Sequence, residues 1–370
     1  MEGRGERYME KVKKVLDRIF IEGLSAMAHG LFATLIIGTI IQQIGTFMGG
    51  NIGEMIFIAG KLAAALTGAG IGVAVAYKFK EAPLVVVSAA TAGMAGAFAS
   101  SILAGKVFVD GAMVFAGPGE PLGAFIAAYL AIEIGILVTG KTKLDIILTP
   151  LVCIGTGSVV GLVAGPPISK FMAWLGSLIN WGTEQQPFLM GIVVSVLMGI
   201  FLTLPISSAA IGVILNLSGL AAGAATVGCC CNMIGFAVAS YRENKLGGFV
   251  AQGIGTSMLQ MPNIVKNPRV WIAPTLASAV TGPIATCIFH LEMNGAPISS
   301  GMGTCGMVGP IGVYAGWVND VATGAKAAIT GMDWLALALI CFVLPAVLAW
   351  LFGLFFRRIG WIREGDLTLE

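Results

Sequence analysis

The stretch "LPISSAAIGVILNLSGLAAGA", residues 204–224, is apolar but is not built as a plain membrane span. Pro205, Gly212 and Gly219 interrupt it, and Ser207, Ser208, Asn216 and Ser218 make it polar. Proline removes a backbone donor and glycine weakens a helix, so the stretch predicts a re-entrant segment. Its opening recurs: Pro-Ile-Ser-Ser begins at Pro205 and again at Pro297, inside "APISSGMG" (296–303), with Pro167-Ile168-Ser169 as a weaker third copy. In many transporters, paired interrupted segments in corresponding positions mark the substrate site. Irregular backbone at membrane depth survives where it is buried in protein or lines a watery cavity. Half-helix N-termini there turn free N–H groups toward a ligand. The plainer alternative is two interhelical turns that both use Pro and Ser.

The rest of the chain supplies the membrane context. Of 370 residues, 57% are hydrophobic and 11% charged, and the mean hydropathy is +0.91. A soluble domain carries about 25% charged residues. Upstream of the broken stretch, spans are predicted at 24–48, 55–78, 83–108, 120–140 and 144–165. Gly and Ala fill them, as in "KLAAALTGAGIGVAVAY", which favours close helix packing. "PPISKFMAWLGSLINWG" (166–182) is amphipathic, with Trp174 and Trp181 as anchors, and predicts a helix lying in the interface. A sixth span is expected at 187–204, a seventh near 225–240, and others at 270–290 and 333–356. Residues 247–268 and 294–320 are too rich in Gly and Pro for plain spans. The fold class is an all-α polytopic membrane protein, with about 8–10 transmembrane helices plus re-entrant hairpins and an interfacial amphipathic helix. Three regions follow: 1–165, a five-span bundle with its N-terminal helix; 166–186, the interfacial helix; and 187–370, the substrate-binding half.

Lys and Arg set the orientation. The basic N-terminal helix, Lys78, Lys80, Lys141, Lys143, Arg242, Lys245, Arg357, Arg358 and Arg363 are all placed in the cytoplasm. The expectation is a multi-pass protein of the cell membrane with both termini cytoplasmic. Residues Arg4 to Arg18 read as a surface amphipathic helix leading into the first span, without a cleavage site. Seven cysteines lie in apolar sequence without metal spacing and read as small packing residues. There is no Walker loop, GxSxG elbow or HExxH, and no basic block for nucleic acid. No cofactor is expected.

Ionisable residues inside spans are costly unless paired. Glu133, in "YLAIEIGIL", suggests pairing with another helix, Lys61 being one candidate, or a functional role. His29 reads as packing. His290 and Glu292, in "CIFHLEMNGAP", immediately precede the second Pro-Ile-Ser-Ser and are better candidates, and Asp320 follows the same loop.

The residues "MPNIVKNPRVWIAP" (261–274) are similar to the Pro-Ile-Val-Leu-Asn-Pro…Ile-Pro stretch of membrane enzyme IIC, the sugar permease of the bacterial phosphotransferase system. The matches fall at Ile264, Val265, Asn267, Pro268, Ile272 and Pro274. The layout resembles the compact single-domain branch of that family, which includes perfringolysin-regulator-type proteins. The resemblance implies a homodimer joined through the first five spans, with a sugar held in a second half that moves across the membrane. In the family a Gly-Glu-Pro motif precedes the Asn-Pro stretch, and its glutamate contacts the sugar. Here the region reads "GTSMLQMPN", and Gln260 is the nearest polar substitute. The soluble domains that carry the phosphoryl group are not in the chain, so separate IIA and IIB proteins are the implied partners.

The leading reading is a carrier of a small polar solute, a sugar or sugar-like compound, working by alternating access in the lipid bilayer. Its candidate ligands are Ser207, Ser208, Asn216, Gln260, Asn263, Asn267, His290, Asn294, Ser299 and Ser300. A neutral hydrogen-bonding lining suits a polyol, whereas an anion calls for Arg or Lys at membrane depth. The rival reading is a membrane sensor or regulator that keeps the fold and does not transport.

Overall fold

The structure is a computed structural model that describes residues 13–115 and 117–369. In chain order its main helices are α1 (Lys13–Met48), α2 (Gly50–Ala65), α3 (Thr67–Lys78), α4 (Pro83–Ala97), α5 (Pro121–Ile136), α6 (Asp145–Thr183) and α7 (Pro187–Thr203). There follow α8 (Ser208–Ile214), α9 (Gly219–Ala239), α10 (Tyr241–Val250), α11 (Pro268–Ile288), α12 (Val308–Thr323) and α13 (Gly331–Arg358). Five of these, α1, α6, α9, α11 and α13, are long and apolar enough to cross a membrane. A sixth crossing forms if α2 and α3, bent by 53°, act as one. The helices α4, α5 and α7 are apolar but shorter. The chain is thus an all-α polytopic membrane protein. A two-stranded ribbon, Phe108–Val109 against Ala112–Met113, is turned by Asp110 and Gly111, with φ of 50° and 76°. Both turn residues therefore have the positive φ that a type I′ hairpin requires.

The chain forms two compact units. The first holds the described residues up to Gly38 together with Ile58–Ser169, and the second holds Thr39–Phe57 and the chain from Lys170 onward. In the first unit, close packing rests on glycines. A Cβ on Gly72 would lie 2.1 Å from the Ala89 carbonyl oxygen, and one on Gly96 would lie 2.2 Å from that of Gly123. Glu133 does not pair with Lys61, which is exposed. Its Oε1 instead accepts from Arg18 Nε at 2.7 Å, and Arg18 also reaches Glu81 and stacks 3.9 Å from the centroid of the Phe79 ring. The charge is therefore matched from the first helix. His29, expected to pack, is instead exposed, and its Nδ1 lies 2.9 Å from the Ser25 carbonyl one turn back.

The expected fifth span and interfacial helix are one element. Helix α6 continues through Pro166 and Pro167, because a proline removes one donor while neighbouring turns keep their bonds. Its 39 residues make it about 58 Å long at 1.5 Å per residue, well beyond the roughly 30 Å of hydrocarbon. Its latter part carries the stacked pair Phe171 and Trp174 and the exposed Trp181.

The second unit is built around α9. Of its most apolar window, 89% is buried, and it packs against α7, α11 and α13. Small residues let backbones meet: a Cβ on Gly228 would lie 1.8 Å from Ser195 O, and one on Gly223 would lie 1.8 Å from Leu291 O. One amide locks the contact. Asn232 donates to Ser278 Oγ (3.2 Å) and Gly228 O (3.3 Å), and accepts from Trp271 Nε1 (3.0 Å) and Thr203 Oγ1 (3.4 Å). Its full donor and acceptor capacity is met without water.

Substituting Gly228→Ala should therefore destabilise by about 1–3 kcal/mol, as overpacking does. Gly247→Ala, where a Cβ meets nothing within 4 Å, should be neutral or stabilising. Thermal denaturation of the detergent-purified variants reads the difference; equal midpoints would contradict the packing described.

Candidate solute site

The two Pro-Ile-Ser-Ser segments come together. In the first, Ser207 Oγ caps α8 by accepting from Ala210 N (3.2 Å), and Ser208 Oγ crosses to donate to Gly301 O of the second (2.7 Å). In the second, Ser300 Oγ donates to Pro297 O (2.7 Å). Ser299 is buried, at 6% exposure, against Gly312. Three of these four hydroxyls therefore serve the protein's own backbone. Asn216 is a turn residue with φ of 47°, a conformation asparagine tolerates better than most.

Left-handed backbone marks the same region. Asn216, His290 and Met307 are non-glycine residues at positive φ (47°, 45° and 62°), joined by Gly219, Gly303 and Gly306. Such conformations cost of order 1–3 kcal/mol each and persist where the surroundings hold them.

Asn294 is the junction. Its Oδ1 accepts from Gly219 N (2.9 Å), at the start of α9, while Met293 N donates to Gly219 O (3.1 Å). Its Nδ2 donates to Asp320 Oδ2 (3.0 Å) and Glu292 Oε2 (3.1 Å). One side chain thus ties the first broken segment to the second and draws two carboxylates together.

These groups line a cavity of about 350 Å³, with His290, Trp317, Lys326 and Asp333 on its walls. Lys326 Nζ donates to Asp333 Oδ1 (2.7 Å) and lies 5.8 Å from the centroid of the Trp317 ring. Asp333 also closes a capping box with Thr330 at the start of α13, which fixes the carboxylate that holds the lysine. The cation on this wall is therefore neutralised, and Glu292 and Asp320 remain as acceptors of hydrogen bonds. Of the ten residues expected from sequence, His290 and Asn294 line this cavity. Trp317, Lys326 and Asp333 were missed, since nothing local in the sequence distinguishes them.

Gln260, Asn263 and Asn267 sit elsewhere and have other partners. Gln260 Nε2 donates to Gln252 Oε1 (2.8 Å) and Leu367 O (3.0 Å). Asn263 Nδ2 donates to Gln260 Oε1 (2.7 Å) and Thr368 O (2.9 Å). Asn267 Nδ2 donates to Trp361 O (3.0 Å) and Asp366 Oδ2 (2.9 Å). Asn244 exchanges bonds with Leu367 O and Leu369 N, both at 2.8 Å. The segment 361–369 thus lies along a row of amides, with Leu367 1% exposed.

The family model described as "Phosphotransferase system, EIIC" matches residues 21–369. The chain belongs to that family. A search of curated proteins finds no match. An EIIC-family chain with this many apolar helices is a membrane component of sugar transport. The amide row includes the Asn-Pro stretch that resembles the family's motif, and there the protein's own 361–369 segment supplies the hydrogen-bond partners.

Removing residues 361–370 should leave these amides unmatched, at a cost of about 1–3 kcal/mol for each buried group that water does not reach. A markedly lower thermal midpoint is the expected outcome. An unchanged midpoint would mean that the segment rests on the surface without holding it.

Proposed function

We propose that this EIIC-family protein carries an uncharged sugar or polyol by alternating access, with the solute held in the cavity around Asn294. The observation that carries the reading is the position of Asn294, which hydrogen-bonds Gly219 of one broken segment and Asp320 beyond the other. Sugar hydroxyls are donors as well as acceptors, so Glu292 and Asp320 suit them, with His290 and the Trp317 indole completing the wall. The same two carboxylates would repel a sugar phosphate or a carboxylate. A ligand bridging Asn294 would feel any relative movement of the two segments it joins. Ser207, Ser208, Ser299 and Ser300 then act through the backbone that positions Asn294. In this reading a second copy of the chain forms the homodimer, both termini are cytoplasmic, and separate IIA and IIB proteins supply phosphoryl transfer.

The rival reading, a sensor that binds the solute without transporting it, draws support from the amide row. No carboxylate stands at the Gln260 position, and the row is engaged by 361–369.

Ligand-dependent thermal shift on the purified protein tests the binding claim. A sugar or polyol at a hundredfold excess over Kd should add about 2.7 kcal/mol of apparent stability, and sugar phosphates should add nothing. Asn294→Ala and Asp320→Asn should abolish the shift. A shift that survives both variants, or appears only with sugar phosphates, would overturn the site. Uptake into liposomes by the binding-competent protein then separates carrier from sensor.

A further inference from the structure

At the opposite end of α9 from Asn294, two cavities share walls. One, about 300 Å³, is a groove lined by Val238, Phe249, Trp350, Gly353 and Leu354. The other, about 500 Å³, is lined by Arg242, Glu243, Arg357, Arg363 and Glu364. Arg242 and Arg357 belong to both. Trp350, Gly353, Leu354 and Arg357 recur at helical spacing on one face of α13, so the groove follows that helix toward its charged end. Tyr241 and Trp350 also line the groove, at 48% and 50% exposure, as aromatic residues do at a membrane–water boundary.

The charges are incompletely matched. Arg357 Nη2 donates to Glu243 Oε1 (2.7 Å) and to Ala239 O (3.1 Å), the last carbonyl of α9. The guanidinium groups of Arg242 and Arg363, both exposed, have no acceptor among the described residues, and Glu243 Oε2 is buried without a donor. Two exposed arginines converging on one cavity are free to take an oxyanion in place of water, and a buried carboxylate oxygen calls for an N–H donor. An apolar groove leading into such a cavity calls for a hydrocarbon chain.

We propose that these joined cavities bind a phospholipid whose headgroup carries a protonated primary amine. The phosphodiester would meet Arg242 and Arg363, the ammonium would meet Glu243 and Glu364, and one acyl chain would lie in the groove beside Gly353. Phosphatidylcholine offers no N–H to the glutamates, and phosphatidylglycerol offers no cation. Inorganic phosphate and phosphoethanolamine share the head chemistry but leave the groove empty.

The test uses the full chain, delipidated in detergent, with native mass spectrometry and thermal denaturation. Phosphatidylethanolamine should bind about tenfold more tightly than phosphatidylcholine or phosphatidylglycerol of the same acyl composition, the equivalent of one charge-assisted hydrogen bond. Phosphoethanolamine and inorganic phosphate should give no comparable shift. Arg363→Gln removes a head contact. Gly353→Leu fills the groove, and its Cβ would come no nearer than 3.8 Å to that of Ala239, so the fold should hold, as the lipid-free midpoint will verify. Each variant should lower the affinity for phosphatidylethanolamine and for phosphatidylcholine alike by about tenfold, since the two lipids share the phosphodiester and the chains that these variants disturb. Equal retention of the three lipids, a preference for phosphatidylglycerol, a full shift from the chain-free headgroups, or an affinity for phosphatidylethanolamine unchanged in both variants would overturn the proposal.

Discussion

The second unit depends on one constraint: α9 is a membrane-length helix buried along nearly all of its circumference. A helix surrounded by others must present small residues, so that backbones can meet, and must satisfy every polar group it carries. Gly223 and Gly228 meet the first demand, and Asn232, with all its bonds made to protein, meets the second. Because α9 is fixed in this way, both of its ends are fixed. Gly219 becomes a rigid anchor for Asn294, and the carbonyl of Ala239 becomes an anchor for Arg357.

The broken segments follow from that anchor. A broken helix exposes backbone groups that a continuous helix would satisfy, so its side chains are drawn into capping. Ser207, Ser208 and Ser300 do this work. The residues left to line the cavity are those beyond the caps: His290, Glu292 and Asn294 before the second Pro-Ile-Ser-Ser, and Asp320 and Lys326 after it. The serine-rich repeat thus lies beside the candidate cavity without lining it.

The fold was largely legible in the sequence. Hydropathy placed the sixth span at 187–204, where α7 covers Pro187–Thr203, and the interruptions at Pro205 and Gly219 bound the short α8. The break expected after residue 165 failed because tandem prolines bend or weaken a long helix without ending it. The candidate cavity was legible in part. His290 and Asn294 sit beside the repeat, but the Asn294–Asp320 bond spans 26 residues, and no local periodicity reports a contact of that kind. The distant partners of Gln260 and Asn263 were hidden for a different reason: they are backbone carbonyls of Leu367 and Thr368, and a carbonyl acceptor leaves no signature in residue type.

The most direct test of the Asn294-centred site is a structure of the protein determined with a bound sugar. The expected result is ligand density bounded by Asn294, Asp320 and Trp317, with 361–369 still lying along the amide row. Density beside Gln260 and Asn263, with that segment displaced, would contradict it and return the site to the Asn-Pro stretch.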